Sequence, residues 1–111
     1  MNRPLVSGIT ITKLYNEVKA RARRYNREFK IRRALFDVLI VSNCHYCKQP
    51  PTNYRTVNGE RVYYNGLDRV VNSMGYLPNN VVACCFRCNN YKNAKTLKQL
   101  EQSKQHLVAL S

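Results

Sequence analysis

A chain of 111 residues with 44% hydrophobic side chains is long enough for one folded domain and too apolar to be disordered by composition. Its 19 Lys and Arg against 6 Asp and Glu give a formal net charge of +13. No apolar run approaches the roughly 20 residues that a membrane helix needs. Because so large an excess of one sign suits a polyanionic partner, the composition predicts nucleic acid as the partner and no membrane.

The N-terminal part is predicted to be helical and strongly basic. From Thr12 onward, apolar residues recur at steps of three or four, which is typical of one helix face; they are Leu14, Val18, Ala22, Tyr25 and Phe29. A second helix is expected from about Arg32 to Val41, after a short extended piece at Phe29–Ile31 or as a continuation of the first helix. Residues 1–33 carry ten Lys and Arg against two Glu, a net charge of +8.

Two cysteine pairs with the same spacing follow, Cys44/Cys47 and Cys85/Cys88. A two-residue gap lets a tight turn aim both sulfurs at one ion, so the pairs predict a single structural Zn²⁺ held by four thiolates. Five cysteines with this pairing indicate metal ligation in a reducing intracellular compartment (host or bacterial cytoplasm, or an organelle matrix) rather than disulfides. Cys84 fits the spacing less well and is predicted to be a small buried hydrophobe.

The interval between the pairs is long for a simple zinc ribbon, so a folded hairpin is expected there. Residues 48–60 are predicted to be a polar loop, because Pro50-Pro51 excludes helix and Asn58-Gly59 is a strong turn signal. The other elements expected are strands at about Val62–Tyr64 and Leu67–Val71 separated by Asn65-Gly66, a loop over 72–80, an extended Val81–Ala83, a helix from about Phe86, and a last helix opened by a Thr96/Gln99 capping box.

One half of the chain resembles the zinc-containing HNH nucleases of bacteriophages and large DNA viruses. The resemblance covers about Asn43 to Lys95 and is carried by Asn65-Gly66-Leu67-Asp68-Arg69-Val70, Gly75-Tyr76, Asn80-Val81-Val82 and Cys85-Phe86-Arg87-Cys88-Asn89-Asn90-Tyr91-Lys92. It implies an α+β fold in which a small ββα-metal core is braced by the four-cysteine zinc site. The chain is then one domain in three parts: basic helices over 1–42, the core over 43–95 and a C-terminal helix over 96–111.

The resemblance also implies roles for individual residues. Asp68 and Asn89 match the ligands of a catalytic divalent ion, and a carboxylate with an amide oxygen suits Mg²⁺ or Mn²⁺. Asn80 matches the middle Asn, which steadies the loop that positions the hairpin. Arg69 stands where the family has its His general base; a guanidinium cannot take a proton, but it could bind the scissile phosphate. His45 and His106 are not expected to replace that base.

Two main hypotheses follow, and the sequence leaves both open. The first is a metal-dependent endonuclease that hydrolyses phosphodiester bonds, with DNA favoured and RNA possible. The second is an inactive HNH-derived zinc module that serves as a DNA-binding accessory factor or a ribonucleoprotein subunit; it is motivated by Arg69 and by Val71, where related sequences usually carry Asp. A protein-binding zinc ribbon ranks third because of the charge. The residues expected to contact nucleic acid are Lys19, Arg23, Arg24, Arg27, Lys30, Arg87 and Lys92.

Overall fold

The computed structural model describes residues 3–93. Their elements are, in chain order, α1 (Gly8–Arg24), α2 (Arg33–Leu39), β1 (Asn53–Val57), β2 (Glu60–Tyr64), β3 (Gly66–Arg69), β4 (Val81–Cys84) and α3 (Phe86–Asn93). Helices combined with two antiparallel two-stranded sheets make this an α+β fold, as predicted. The helix expected over 96–111 lies outside the described residues.

Helix α1 is shifted toward the N-terminus relative to the predicted stripe. It begins before Thr12 and ends at Arg24, because Asn26 adopts a positive φ of 53°. The amide of Asn26 donates to the carbonyl of Arg23, and the amide of Arg27 donates to that of Ala22 at 2.8 Å. These two bonds form the termination motif in which a left-handed residue satisfies the last carbonyls of a helix.

The segment after α1 is extended, so α1 and α2 are separate helices rather than one. Phe29 forms a bridge with Tyr76, and the amide of Tyr76 donates to the carbonyl of Glu28 at 2.8 Å. Gly75 lies so close to this segment that a Cβ at that position would be 2.7 Å from the Glu28 carbonyl oxygen. The loop before β4 is thereby attached to the basic N-terminal part.

Strands β1 and β2 form a hairpin, and the prediction of a loop over residues 48–60 is wrong for 53–57 and for Glu60. Asn58 and Gly59 both have positive φ, at 52° and 81°, and connect the paired residues Val57 and Glu60. Two left-handed residues in succession make the turn that suits the right-handed twist of a hairpin. The turn signal was therefore correct, but the strand before it was not recognised.

Strand β3 pairs with β4 and not with β2, so the hairpin predicted across Asn65-Gly66 is also wrong. Asn65 is fully buried instead of forming a turn; its amide donates to the carbonyl of Ile40 and its side chain to that of Ser42, each at 2.7 Å. These bonds fix the crossing from one sheet to the other. Helix α3 follows β4 directly, and its first amide, at Phe86, is capped by the Asn53 side chain at 3.0 Å.

The core lies between the helices and the β3–β4 hairpin. Its buried members are Val6, Leu14, Ala22, Ile31, Phe36, Ile40, Leu67, Tyr76 and Val81. On β3 the alternation of a strand sends Leu67 into this core, so Asp68 faces the opposite side of the hairpin. Among the described residues, no helix has both the length and the apolar character required to cross a membrane.

Candidate functional site

Four cysteine sulfurs converge at the end of the β3–β4 hairpin. The Sγ atoms of Cys44, Cys47, Cys85 and Cys88 all lie within 4.8 Å of one another. The separation of Cys47 Sγ from Cys85 Sγ is 3.8 Å, and four sulfurs at the usual Zn–S distance in a tetrahedron are also about 3.8 Å apart. The donor set and its spacing therefore fit a tetrahedral metal such as zinc.

The surroundings of this cluster favour the charged form of one thiol. Burial raises the pKa of Cys44, but backbone amides of Cys47, Cys85 and Tyr46 donate to its sulfur and outweigh burial, so its pKa falls to about 7. Burial also raises the pKa of Cys84, and the nearby charge of Asp68 raises it further. The Cys84 thiol donates to the carbonyl of Cys85 and lies outside the four-sulfur cluster, as expected for a small buried residue.

The carboxylate of Asp68, on β3, is only 4% exposed. Its Oδ2 accepts a hydrogen bond from the Tyr46 hydroxyl at 2.6 Å and one from the Lys92 ammonium at 2.8 Å. The Lys92 side chain, itself 13% exposed, also donates to the backbone carbonyl of Arg69 at 2.7 Å. Asp68 is thus a buried, charge-paired group at the junction of β3 and α3.

Tyr46 was not identified from the sequence as a site residue, although it lies inside the first cysteine pair. Burial, and then the hydrogen bond to Asp68, raise the pKa of the Tyr46 hydroxyl, so it remains a proton donor to the carboxylate. The signal available in the sequence was the position of Tyr46 between Cys44 and Cys47. If these two cysteines share an ion with Cys85 and Cys88, Tyr46 must lie near the strand and helix that carry the second pair.

Asn89, the second expected ligand of a catalytic ion, lines a hollow between α1, the β1–β2 hairpin and α3. The same hollow is lined by Glu17, Arg21, Arg55 and Gly66, two residues before Asp68 on β3. In the described part of the chain, the four cysteines are the one group of three or more His, Cys, Asp or Glu side chains close enough to share an ion. A second ion in this part of the chain would therefore have fewer than three such side chains as ligands, and amide and water oxygens would supply the others.

Asn80 and Arg69 both bind the loop over 70–80. Asn80 is 2% exposed; its side chain accepts from the Val71 amide at 2.9 Å and donates to the carbonyls of Val71 and Gly75. Arg69 donates to the carbonyls of Asn72 and Met74, with its guanidinium 5.6 Å from the Tyr76 ring centroid. Both side chains therefore hold the 70–80 loop in place, and this contribution of Arg69 was not expected from the sequence.

The basic residues lie on a surface that runs from α1 to this loop. One hollow is lined by Lys19, Arg23, Asn26 and Arg27. A second hollow is lined by Asn26 and Arg27 again together with Arg69, so the two are continuous. Of the other residues expected to contact nucleic acid, Arg24, Lys30 and Arg87 are exposed, while Lys92 is engaged with Asp68.

Comparison with known proteins supports the fold. No family model matches the chain. The solved structure of the rare-cutting HNH restriction endonuclease PacI is similar to 81% of this chain and 70% of its own, with a TM-score of 0.60 and 23% sequence identity. An uncharacterized protein of Acanthamoeba polyphaga mimivirus is 35% identical over 79 residues, which is 71% of this chain and 13% of that protein. The chain thus has an HNH-like nuclease fold and spans about an eighth of the viral relative.

Proposed function

We propose that this chain is a metal-dependent endonuclease that binds DNA and hydrolyses its phosphodiester bonds. The observation that carries the proposal is the position of Asp68: a buried carboxylate at the junction of β3 and α3, within an HNH-like ββα unit braced by four cysteines. The similar solved structure belongs to an HNH restriction endonuclease, which supports DNA over RNA as the substrate.

The four cysteines serve as a structural zinc site in this proposal. A closed set of four thiolates leaves no position for substrate, so such a site stabilises the fold and takes no part in the chemistry. The two pairs lie on either side of the β3–β4 hairpin in sequence; Cys85 immediately precedes α3 and Cys88 lies in its first turn. Zinc would therefore hold the first pair, and Tyr46 with it, against the strand that carries Asp68.

Phosphate binding is assigned to the continuous basic surface formed by Lys19, Arg23, Arg27 and Arg69. Arginine and lysine that neutralise phosphates release condensed counterions, so the affinity should fall steeply with salt and depend little on sequence. Arg69 lies where this surface meets the ββα unit. Because its guanidinium stays protonated, its contribution is to bind and steady a phosphate rather than to accept a proton.

The catalytic ion is assigned to Asp68 and Asn89, whose oxygen donors suit Mg²⁺ or Mn²⁺. When bound, such an ion polarises the scissile phosphate and stabilises the leaving oxygen. The Tyr46 hydroxyl fixes the orientation of the Asp68 carboxylate through its 2.6 Å hydrogen bond. Lys92 balances the charge of that carboxylate, so an ion held at the same oxygen would compete with the Lys92 ammonium.

Plasmid cleavage tests the proposal directly. The zinc-loaded protein should nick or linearise plasmid with Mg²⁺ or Mn²⁺, and Asp68→Asn and Asn89→Ala should each abolish cleavage while keeping one zinc per chain. Asn90→Ala, an exposed neighbour of the same residue type, is the matched control and should cleave as the parent does. Cleavage that is absent from the parent, or that persists in Asp68→Asn purified in parallel, would refute the nuclease proposal.

One observation favours a second function, nucleic-acid binding without turnover. Lys92 already satisfies Asp68 electrostatically, and Arg69 is occupied with the carbonyls of the 70–80 loop. A chain of this kind would act as a DNA-binding accessory factor or a ribonucleoprotein subunit. It would bind oligonucleotides in a salt-dependent way and show no cleavage with either Mg²⁺ or Mn²⁺. Any Mn²⁺ binding would be the same in the parent and in Asp68→Asn.

A further inference from the structure

The β1–β2 hairpin presents two faces of different character. Its inner face packs toward α1, with Val62 and Tyr64 half-buried and Arg55 paired with Glu17. Its outer face carries the cross-strand pair Tyr54 and Tyr63, and Tyr54 is 48% exposed. Packing against α1 explains the residues of the inner face, but it does not explain why exposed aromatic residues lie on the outer face.

The outer face aligns two tyrosines with two arginines. The ring centroids of Tyr54 and Tyr63 are 6.0 Å apart. The guanidinium of Arg61 lies 4.2 Å from the Tyr54 centroid, and that of Arg3 lies 5.0 Å from the Tyr63 centroid. Arg3 reaches this position because Leu5 bridges to Tyr63 and extends the hairpin by a short parallel segment. Together, Arg3, Tyr63, Tyr54 and Arg61 form the outer row.

Hairpin stability alone does not account for the outer row. A tyrosine pair across two strands is a common stabilising contact, and it would stabilise the hairpin whatever polar residues lay beside it. Here both ends carry a guanidinium, and the remaining strand residue on this face is Thr56, so β1 and β2 contribute no carboxylate to it. The result is an aromatic, positively charged surface, in which the two rings are inclined by 56° to each other, and it is complementary to a ligand with aromatic rings and negative charge.

We infer that the outer row binds unpaired bases of single-stranded nucleic acid, by stacking them on its tyrosines and guanidinium planes. The inference rests on the proposed nucleic-acid function and extends it to a second surface, since the outer row shares no residue with the basic surface on α1. Aromatic rings stack on every base, so recognition there is tolerant of sequence, and arginine adds both a stacking plane and a phosphate partner. A base paired within a duplex cannot offer its face in this way.

The test compares fluorescence anisotropy of labelled oligothymidylate, oligouridylate and a duplex of equal length. Tyr54→Leu keeps an apolar, strand-compatible side chain without the ring, and it should weaken binding to the single strands about tenfold while duplex affinity is little changed. Tyr54→Phe should restore single-strand binding, and Thr56→Val, on the same face, should have no effect. A fluorescent adenine analogue placed in the single strand should be quenched by the parent and by Tyr54→Phe, but not by Tyr54→Leu.

The outcomes separate the inference from the function on which it rests. If the parent binds neither single strand nor duplex, the nucleic-acid function fails, and the inference fails with it. If the parent binds both and Tyr54→Leu binds single strands equally well, or loses duplex affinity to the same extent, the outer row is not a base-stacking surface although the function stands. The thymidylate and uridylate arms identify whether DNA or RNA supplies the bases.

Discussion

Lys92→Met tests the electrostatics of the candidate site most sharply. The substitution keeps the length of the side chain and removes an ammonium that donates to the Asp68 carboxylate at 2.8 Å and to the Arg69 carbonyl at 2.7 Å. Asp68 is 4% exposed, so water does not replace the lost partner. Breaking a buried ion pair by removing one member leaves an uncompensated charge and costs about 3–5 kcal/mol.

The expected loss of unfolding free energy is at the lower end of that range, about 3 kcal/mol, because Tyr46 still donates to the carboxylate. For a domain of this size that corresponds to a fall in Tm of more than about 10 °C. Asp68→Asn combined with Lys92→Met removes both charges and should be more stable than Lys92→Met alone. Lys13→Met, on the exposed surface of α1, should change stability by less than about 0.5 kcal/mol.

Adding Mn²⁺ then distinguishes a site that accepts an ion from one that does not. A ligand present at a hundred times its dissociation constant stabilises the folded state by about 2.7 kcal/mol. Urea unfolding with free zinc held constant should show Mn²⁺ stabilising Lys92→Met more than the parent, because the competing ammonium is gone, and the double variant not at all. Equal effects of Mn²⁺ on all three proteins, or none on Lys92→Met, would refute the assignment of an ion to Asp68.

Three further predictions concern the metal cluster, the loop and the basic surface. Elemental analysis should find one zinc per chain in the parent and in Cys84→Ala, whereas Cys88→Ser should lose the zinc and unfold, since Cys88 belongs to the four-sulfur cluster and Cys84 does not. Gly75→Ala would place a carbon 2.7 Å from a backbone oxygen and should lower the unfolding free energy by about 1–3 kcal/mol, while Gly66→Ala, with its nearest neighbour at 3.7 Å, should be better tolerated in the same urea titration. Arg23→Gln should weaken duplex binding and reduce the slope of log affinity against log salt by about 0.9, as measured by anisotropy.

The parts of the fold that sequence predicted are those with local chemical signals. The spacing of the two cysteine pairs was enough to predict the four-sulfur cluster, because two cysteines separated by two residues, occurring twice in one chain, are typical of a zinc site. Helix α2 likewise followed from local periodicity, whereas the extended Phe29–Ile31 was one of two alternatives, the other being a continuous helix. Asn26 carried a usable helix-termination signal, but the apolar stripe continued to Phe29 and outweighed it.

Strand pairing was not predictable from the same signals. Val62–Tyr64 and Leu67–Val71 are close in sequence with Asn65-Gly66 between them, so a hairpin was the natural expectation. In the structure, Asn65 is buried against the end of α2, and its hydrogen bonds are made with residues more than 20 positions away. Which of two asparagine–glycine steps becomes a turn is decided by such long-range contacts, and these leave no local trace.

The link between the cysteine cluster and Asp68 was likewise invisible in the sequence, and it changes how the site is understood. Tyr46 lies between Cys44 and Cys47, and its hydroxyl is bonded to a carboxylate 22 residues further along the chain. A metal that draws the two cysteine pairs together therefore also fixes the orientation of Asp68. Because burial and this carboxylate raise the Tyr46 pKa, the hydroxyl donates throughout the neutral pH range and cannot serve as a base. Through Tyr46, the cysteine cluster is thus linked to Asp68, the one buried carboxylate among the described residues. Whether a metal occupies the cluster should therefore influence which cation, the Lys92 ammonium or a metal ion, Asp68 holds.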